Sequence, residues 1–170
     1  MLDYADAVVA AAARTAAPAA LVGWSMGGLA VLMAADRVQP SCLVLLESSP
    51  PGETQGFATA GPEIEGTFDP EAVYGAFPVG VGSRHESLRA RAERKHGISV
   101  PHVSCPTLVV TSREFEGERG DPVARLYGAE RLHFPDLDHW GLVLDPRVPP
   151  AVAAYLSRLR SSEPERTGSA

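Results

Sequence analysis

The spacing of apolar positions changes character several times along the chain. Leu2, Ala5, Val8, Val9 and Ala12 recur at helical spacing, and Asp3 and Asp6 fall in the first turn, where the helix dipole favours negative charge, so a helix is expected over 2–16. Pro18 ends it. Residues 19–23 (Ala-Ala-Leu-Val-Gly) form a short apolar run without alternation, the pattern of a strand covered on both faces. Helical spacing returns over 26–37 and stops ahead of Gln39-Pro40, because the residue before a proline disfavours the helical basin. Residues 42–46 (Cys-Leu-Val-Leu-Leu) read as a second buried strand. Strand, helix and strand in this order predict a parallel pair joined by a right-handed crossover.

From Ser48 to about Val103 the periodicity weakens and Gly and Pro are frequent. Two helices are expected there. One begins at Asp69-Pro70-Glu71, an Asp cap followed by Pro at the first helical position, and runs over 72–77; the other, over 83–96, is basic and amphipathic. A long, weakly periodic stretch inside a compact domain is usually a functional excursion, and a lid over about 52–102 is expected. Regular patterning resumes with a strand at 107–111, a helix near 122–127, a strand at 130–134 and a helix near 150–159. The Ser-, Glu-, Pro- and Gly-containing residues 161–170 read as a disordered tail, leaving 1–160 as one domain.

Composition changes this picture little. With 170 residues, 45% hydrophobic and 21% charged, the chain is an ordinary globular domain of average make-up. A formal net charge of -6 argues against nucleic acid or an anionic membrane as partner, since both need a basic footprint. Asp3 and Asp6 stand where a secretory leader would carry basic residues, and the Ala-rich stretch is broken by Arg14 and Pro18, so a cytoplasmic protein is expected. Cys42 and Cys105 each sit beside a serine at the start of an aliphatic run and read as packed thiols rather than a disulfide or a nucleophile. His85, His96, His102 and His133 match no zinc spacing, and no phosphate loop or dinucleotide fingerprint accompanies the strands, so neither metal nor cofactor is expected.

The chemistry lies in Gly23-Trp24-Ser25-Met26-Gly27, a GxSxG string followed by Gly28. As a string it is weak, but it falls between an apolar strand and a helix, the setting a nucleophile elbow requires. Glycines at the flanks would prevent collisions with the adjoining strand and helix, and the helix N-terminus would aim the Met26 N–H at a developing oxyanion. The alternative is a plain Gly-rich turn carrying a bystander serine.

With these residues the chain resembles the α/β-hydrolase superfamily, in its serine branch, from residue 1 to about 160. The likeness rests on the elbow at 23–28, the strand at 42–46, and the stretch from Cys105-Pro106-Thr107-Leu108-Val109-Val110 through Phe134-Pro135-Asp136-Leu137-Asp138-His139-Trp140-Gly141. The resemblance implies an α/β fold, a mostly parallel sheet with helices on both faces. It also implies the chain order Ser, acid, His. Ser25 is then the nucleophile and His139, on the loop after the last strand, the general base. The acid stays open. The family's usual position lies close to Phe115, which leaves Glu114 or Glu116, with Glu114 preferred; Glu47, ending the preceding strand, is the rival. Each also reads as a solvated loop charge. Asp138 is disfavoured because consecutive loop side chains diverge.

Phe57, Ile64, Phe68, Val73, Tyr74, Phe77, Val79 and Val81 give the lid stretch an apolar character that suits an acyl or aryl group or simply covers the core. Trp24, Tyr74, Phe77 and Trp140 are the candidate substrate contacts. In the family several strands and a helix precede the helix seen here at 2–16 and supply a second oxyanion N–H, and the resemblance covers only the family's C-terminal portion. The strand at 19–23 would then present an aliphatic edge. Three explanations follow: a piece of a longer hydrolase, which is preferred, a homo-oligomer built through that edge, or a non-catalytic remnant. The expected function is a serine hydrolase acting on a carboxylic ester or related acyl bond of a small molecule through an acyl-enzyme. The alternative is an inactive hydrolase-like module that self-associates or binds a partner by its sheet edge.

Overall fold

The computed structural model describes residues 1–15, 18–62, 64, 69, 71–72, 76–78 and 86–162. Four strands, β1 (Ala20–Trp24), β2 (Cys42–Leu46), β3 (Thr107–Ser112) and β4 (Glu130–Phe134), form one sheet in the order β1-β2-β3-β4, and every pair is parallel. The helices are α1 (Leu2–Ala12), α2 (Met26–Val38), α3 (Gly52–Gln55), α4 (Leu88–His96), α5 (Asp121–Tyr127), α6 (Gly141–Leu144) and α7 (Val148–Ser162), with a π-turn at Glu116–Gly120 ahead of α5.

The sheet separates two apolar cores because successive strand side chains point to opposite faces. Leu43, Leu45 and Val109 join Leu29, Leu32, Ala90, Val100, Val103 and Val123 on one face. Cys42, Val44, Leu46, Leu108 and Val110 join Leu142, Val152 and Tyr155 on the other. Every residue of β2 and β3 is buried, as unalternating apolar runs require. Ala90 and Val100 belong to the stretch read as a lid, so its last part is built into the main core.

β1 departs from its expected cover on both faces. Ala20 and Val22 are exposed, Val22 by 52%, because only β2 lies beside it among the described residues. The Ser25 N–H donates to the Leu46 carbonyl and the Ser41 N–H to that of Ala19, so residues 19 and 25 face β2. By alternation the main-chain groups of Ala20, Val22 and Trp24 point away from the sheet.

Helix ends differ from the sequence reading for local reasons. α1 stops at Ala12, not 16, since the N–H groups of Arg14 and Thr15 bond three residues back, to Ala11 and Ala12, and tighten the chain into turns. α4 begins at Leu88, where the Ser87 hydroxyl accepts the Ala90 N–H as an N-cap; 83–85 lie outside the described residues. α7 runs from Val148 to Ser162, longer than 150–159 and into the stretch read as tail. Pro149 and Pro150 sit in its first turn, where a missing N–H costs nothing. The remaining tail, 163–170, lies outside the described residues. The Asp69 cap is present, its Oδ1 accepting the N–H groups of Glu71 and Ala72, whereas most of 73–77 is outside the described residues. No helix among the described residues is long and apolar enough to cross a membrane.

Candidate active site

All the chemistry-bearing residues stand at the carboxyl ends of the parallel strands, where open α/β sheets bind ligands. Ser25 follows β1, Glu47 follows β2, Ser112 ends β3, and His139 lies on the loop after β4.

Ser25 has φ 54° and ψ −124° and caps α2. A non-glycine residue here is strained by ~1–3 kcal/mol and must be held by its surroundings. Those restraints are visible: the Ser25 N–H donates to Leu46, and its carbonyl accepts from Gly28 at 3.0 Å and Ser49 at 2.8 Å. The glycines divide unequally. A Cβ on Gly23 would lie 2.6 Å from the Gly27 carbonyl oxygen and the Gly28 Cα, and one on Gly28 would lie 2.4 Å from the Ser48 hydroxyl, so both must be glycine. Gly27 would meet nothing within 4 Å, contrary to the expected collision, because its side-chain direction points into open space. Met26 opens α2, so its N–H is one of the first-turn amides without an intrahelical acceptor.

His139 is buried and held from four directions. Its Nδ1 lies 2.5 Å from Glu47 Oε2. An ionised carboxylate only accepts, so Nδ1 carries the proton and Nε2 of the neutral ring keeps its lone pair. The His139 main-chain N–H donates to Glu114 Oε2 at 3.1 Å, and its carbonyl accepts the Trp24 indole N–H at 3.2 Å. Trp24 stacks on the imidazole at 4.7 Å and 29°, while Phe115 meets it edge-on at 5.5 Å.

Glu47 is fully buried, with φ 41°. Its Oε1 accepts the Ser112 N–H at 2.7 Å and the Ser112 hydroxyl. Burial pushes the Glu47 carboxyl up, but the hydrogen bonds from His139 and Ser112 outweigh it and hold the pKa below the ordinary glutamate value. The two glutamates therefore part company. Glu47 touches the ring, and exposed Glu114 touches only the main chain. Glu116 turns elsewhere, to Thr111, His133 and Arg131. Asp138 accepts the Gly141 N–H at the start of α6.

The aromatic candidates form a row. Trp24 lies 4.9 Å from Trp140, and Phe77 meets Trp140 edge-on at 5.1 Å. Phe57 and Ile64 are exposed. Tyr74, Phe68, Val73, Val79 and Val81 lie outside the described residues. Among the described residues, no three His, Cys, Asp or Glu side chains gather as a metal site.

No family model matches the sequence, and no curated protein is significantly similar to it. Solved structures do match. A carboxylesterase from the ammonia-oxidizing thaumarchaeon Nitrososphaera gargenis is 11% identical, with a TM-score of 0.62 over 95% of this chain and 73% of that one. The alpha/beta hydrolase domain-containing protein 10 from mouse is 16% identical, with a TM-score of 0.60 over 94% of this chain and 69% of that one. A methylesterase from Arabidopsis is 22% identical, with a TM-score of 0.55 over 91% of this chain and 75% of that one.

The chain has the α/β-hydrolase fold.

It spans about seven tenths of the length of these hydrolase structures. Within that fold, three contributors to the site escaped the sequence reading. Ser112 was legible only as a polar residue closing an otherwise buried strand. Phe115 occupies the place where the resemblance put an aspartate and supplies a ring edge to His139 instead. Arg119 gave no sequence signal; it reaches the site through a π-turn that periodicity does not register.

Proposed function

We propose that the chain is a serine hydrolase for a carboxylic ester or related acyl bond of a small molecule, with Ser25 as nucleophile, His139 as general base and Glu47 as the acid. The observation that carries this reading is the buried 2.5 Å contact between Glu47 and His139 Nδ1, one strand away from a serine in a strained strand-to-helix turn. The structural neighbours, among them a carboxylesterase, an alpha/beta hydrolase domain-containing protein and a methylesterase, support it at the level of class.

In this mechanism His139 Nε2 takes the Ser25 hydroxyl proton as Oγ bonds to the acyl carbon. The resulting oxyanion is met by the Met26 N–H. Collapse breaks the bond to the leaving group, which takes the proton from His139 and leaves an acyl-Ser25 ester. Water, deprotonated by the same imidazole, attacks that ester; collapse breaks the acyl–Oγ bond, His139 returns the proton to Ser25 Oγ, and the carboxylic acid leaves. Glu47 stays ionised and stabilises the imidazolium formed in each half-reaction. Trp24, Phe77 and Trp140, with Tyr74 from the lid stretch, are the proposed contacts for the acyl or aryl group. A cytoplasmic setting goes with this reading, since Cys42 and Cys105 are free thiols. The test is a fluorophosphonate probe together with p-nitrophenyl acetate turnover. Covalent labelling at Ser25, lost in Ser25→Ala, is expected; well-folded protein that neither labels nor turns over would sink the proposal.

A second reading is favoured by the bare β1 edge: a module whose strand pairs with that of another copy. The outward main-chain groups of Ala20, Val22 and Trp24 and the exposed Val22 support it. Light scattering decides it, with a dimer that Val22→Lys converts to monomer expected, and a wild-type monomer counting against it.

A further inference from the structure

We propose that Arg119 is a positioning residue that fixes the Glu47–His139 pair from outside the triad. This rests on the catalytic reading of that pair. Arg119 lies in the π-turn Glu116–Gly120, and its main-chain N–H donates to the Phe115 carbonyl at 2.8 Å, which folds its side chain back over Phe115. The guanidinium carbon stands 3.9 Å from the centre of the Phe115 ring. That ring presents its edge to the His139 imidazole. At the same time Arg119 Nη1 donates to the main-chain carbonyl of Glu47 at 3.2 Å.

One side chain thus grips both partners: the acid by its backbone and the base through an aromatic intermediary. The grip on Glu47 falls where it is needed, because φ 41° is a conformation that a glutamate keeps only under restraint. The arrangement suits arginine specifically. A planar guanidinium offers its face to an aromatic ring while donating hydrogen bonds in its own plane, whereas a lysine ammonium supplies a point charge without that division of labour. These contacts of Arg119 go to Phe115 and Glu47, not to the aromatic side chains proposed to meet substrate, so the effect is expected on the reactivity of the pair rather than on binding.

The test reads the held proton directly, by the low-field ¹H NMR resonance of His139 Nδ1–H, alongside steady-state hydrolysis of p-nitrophenyl acetate. Glu47→Gln, which removes the carboxylate, identifies the line by abolishing it. In Arg119→Met the line is expected to shift or broaden, with kcat down ~10- to 100-fold and KM within about twofold, the scale of a slightly misplaced catalytic group. Arg119→Lys should restore only part of this. Phe115→Leu, which cuts the aromatic arm and leaves the arginine, should move the line in the same sense and stands in should Arg119→Met not fold. A line absent from the wild type, or unmoved in both variants with kcat unchanged, would overturn the proposal. Wild-type protein that lacks hydrolytic activity, but whose line still moves in the variants, removes the hydrolase reading and leaves the positioning intact.

Discussion

Glu47 Oε2 and His139 Nδ1 meet at 2.5 Å although 92 positions separate the two residues in the chain. Two strand ends and one loop have to be built correctly for that contact to exist. Of the two glutamates that the sequence left open, Glu47 is the one that touches the ring; Glu114 bonds the histidine only through its main-chain N–H.

The two glutamates should therefore respond differently to the same change. Glu47→Gln leaves the imidazole without its charged partner and is expected to lower kcat for p-nitrophenyl acetate by ~10³- to 10⁴-fold. Glu114→Gln keeps an acceptor for the His139 N–H and should cost less than about tenfold, the worth of one modest hydrogen bond. Equal losses would count against Glu47 as the proposed acid and in favour of Glu114.

The strain at Ser25 should be measurable without any substrate. At φ 54° and ψ −124° glycine is at ease and alanine is not, so Ser25→Gly should be more stable than Ser25→Ala by about 1 kcal/mol in urea unfolding, even after its larger unfolded-state entropy. Both variants should lose fluorophosphonate labelling.

The neighbouring glycines of α2 should diverge just as clearly. Gly28→Ala drives a methyl into Ser48 and is expected to destabilise by ~1–3 kcal/mol. Gly27→Ala meets nothing and gains helix propensity, so its stability should be unchanged or raised by up to about 1 kcal/mol. Thermal melts of the two variants side by side are sufficient.

Acid should expose the Glu47 contribution. A carboxyl whose folded pKa lies below its unfolded value adds stability above the unfolded value, about pH 4.3, and that stability is lost as pH falls through the lowered folded pKa. Chemical unfolding of wild type and Glu47→Gln across this range should show the difference between them shrinking as pH drops. A difference that stays constant to the lowest pH would mean that Glu47 binds its proton equally in both states.

How much of this was legible beforehand depended on whether the determinant was local. The elbow is local: Gly23, Ser25 and Gly28 each declare themselves within one turn of chain, and β2 is delimited by its own run of apolar residues. The acid is not local. Whether Glu47 or Glu114 meets the imidazole is set by the register of β2 against β3 and by Ser112 supplying two donors, none of which is visible in the glutamates' own neighbourhoods. Arg119 is less legible still, since a π-turn breaks the 3.6-residue repeat on which helix reading relies. The glycine argument was legible for Gly23 and Gly28 and misled at Gly27, because a motif gives identities without directions.

The sheet is asymmetric across its width. Among the described residues β4 finishes it with exposed Glu130, Arg131 and His133, polar and charged side chains that discourage a further strand, while β1 offers Ala-Leu-Val-Gly-Trp and a row of outward amides. Growth of the sheet thus has one permitted direction. That direction runs through the strand that leads into Ser25, so a strand added in parallel would terminate beside Ser25. Extending the scaffold and completing the wall of the site would be a single event.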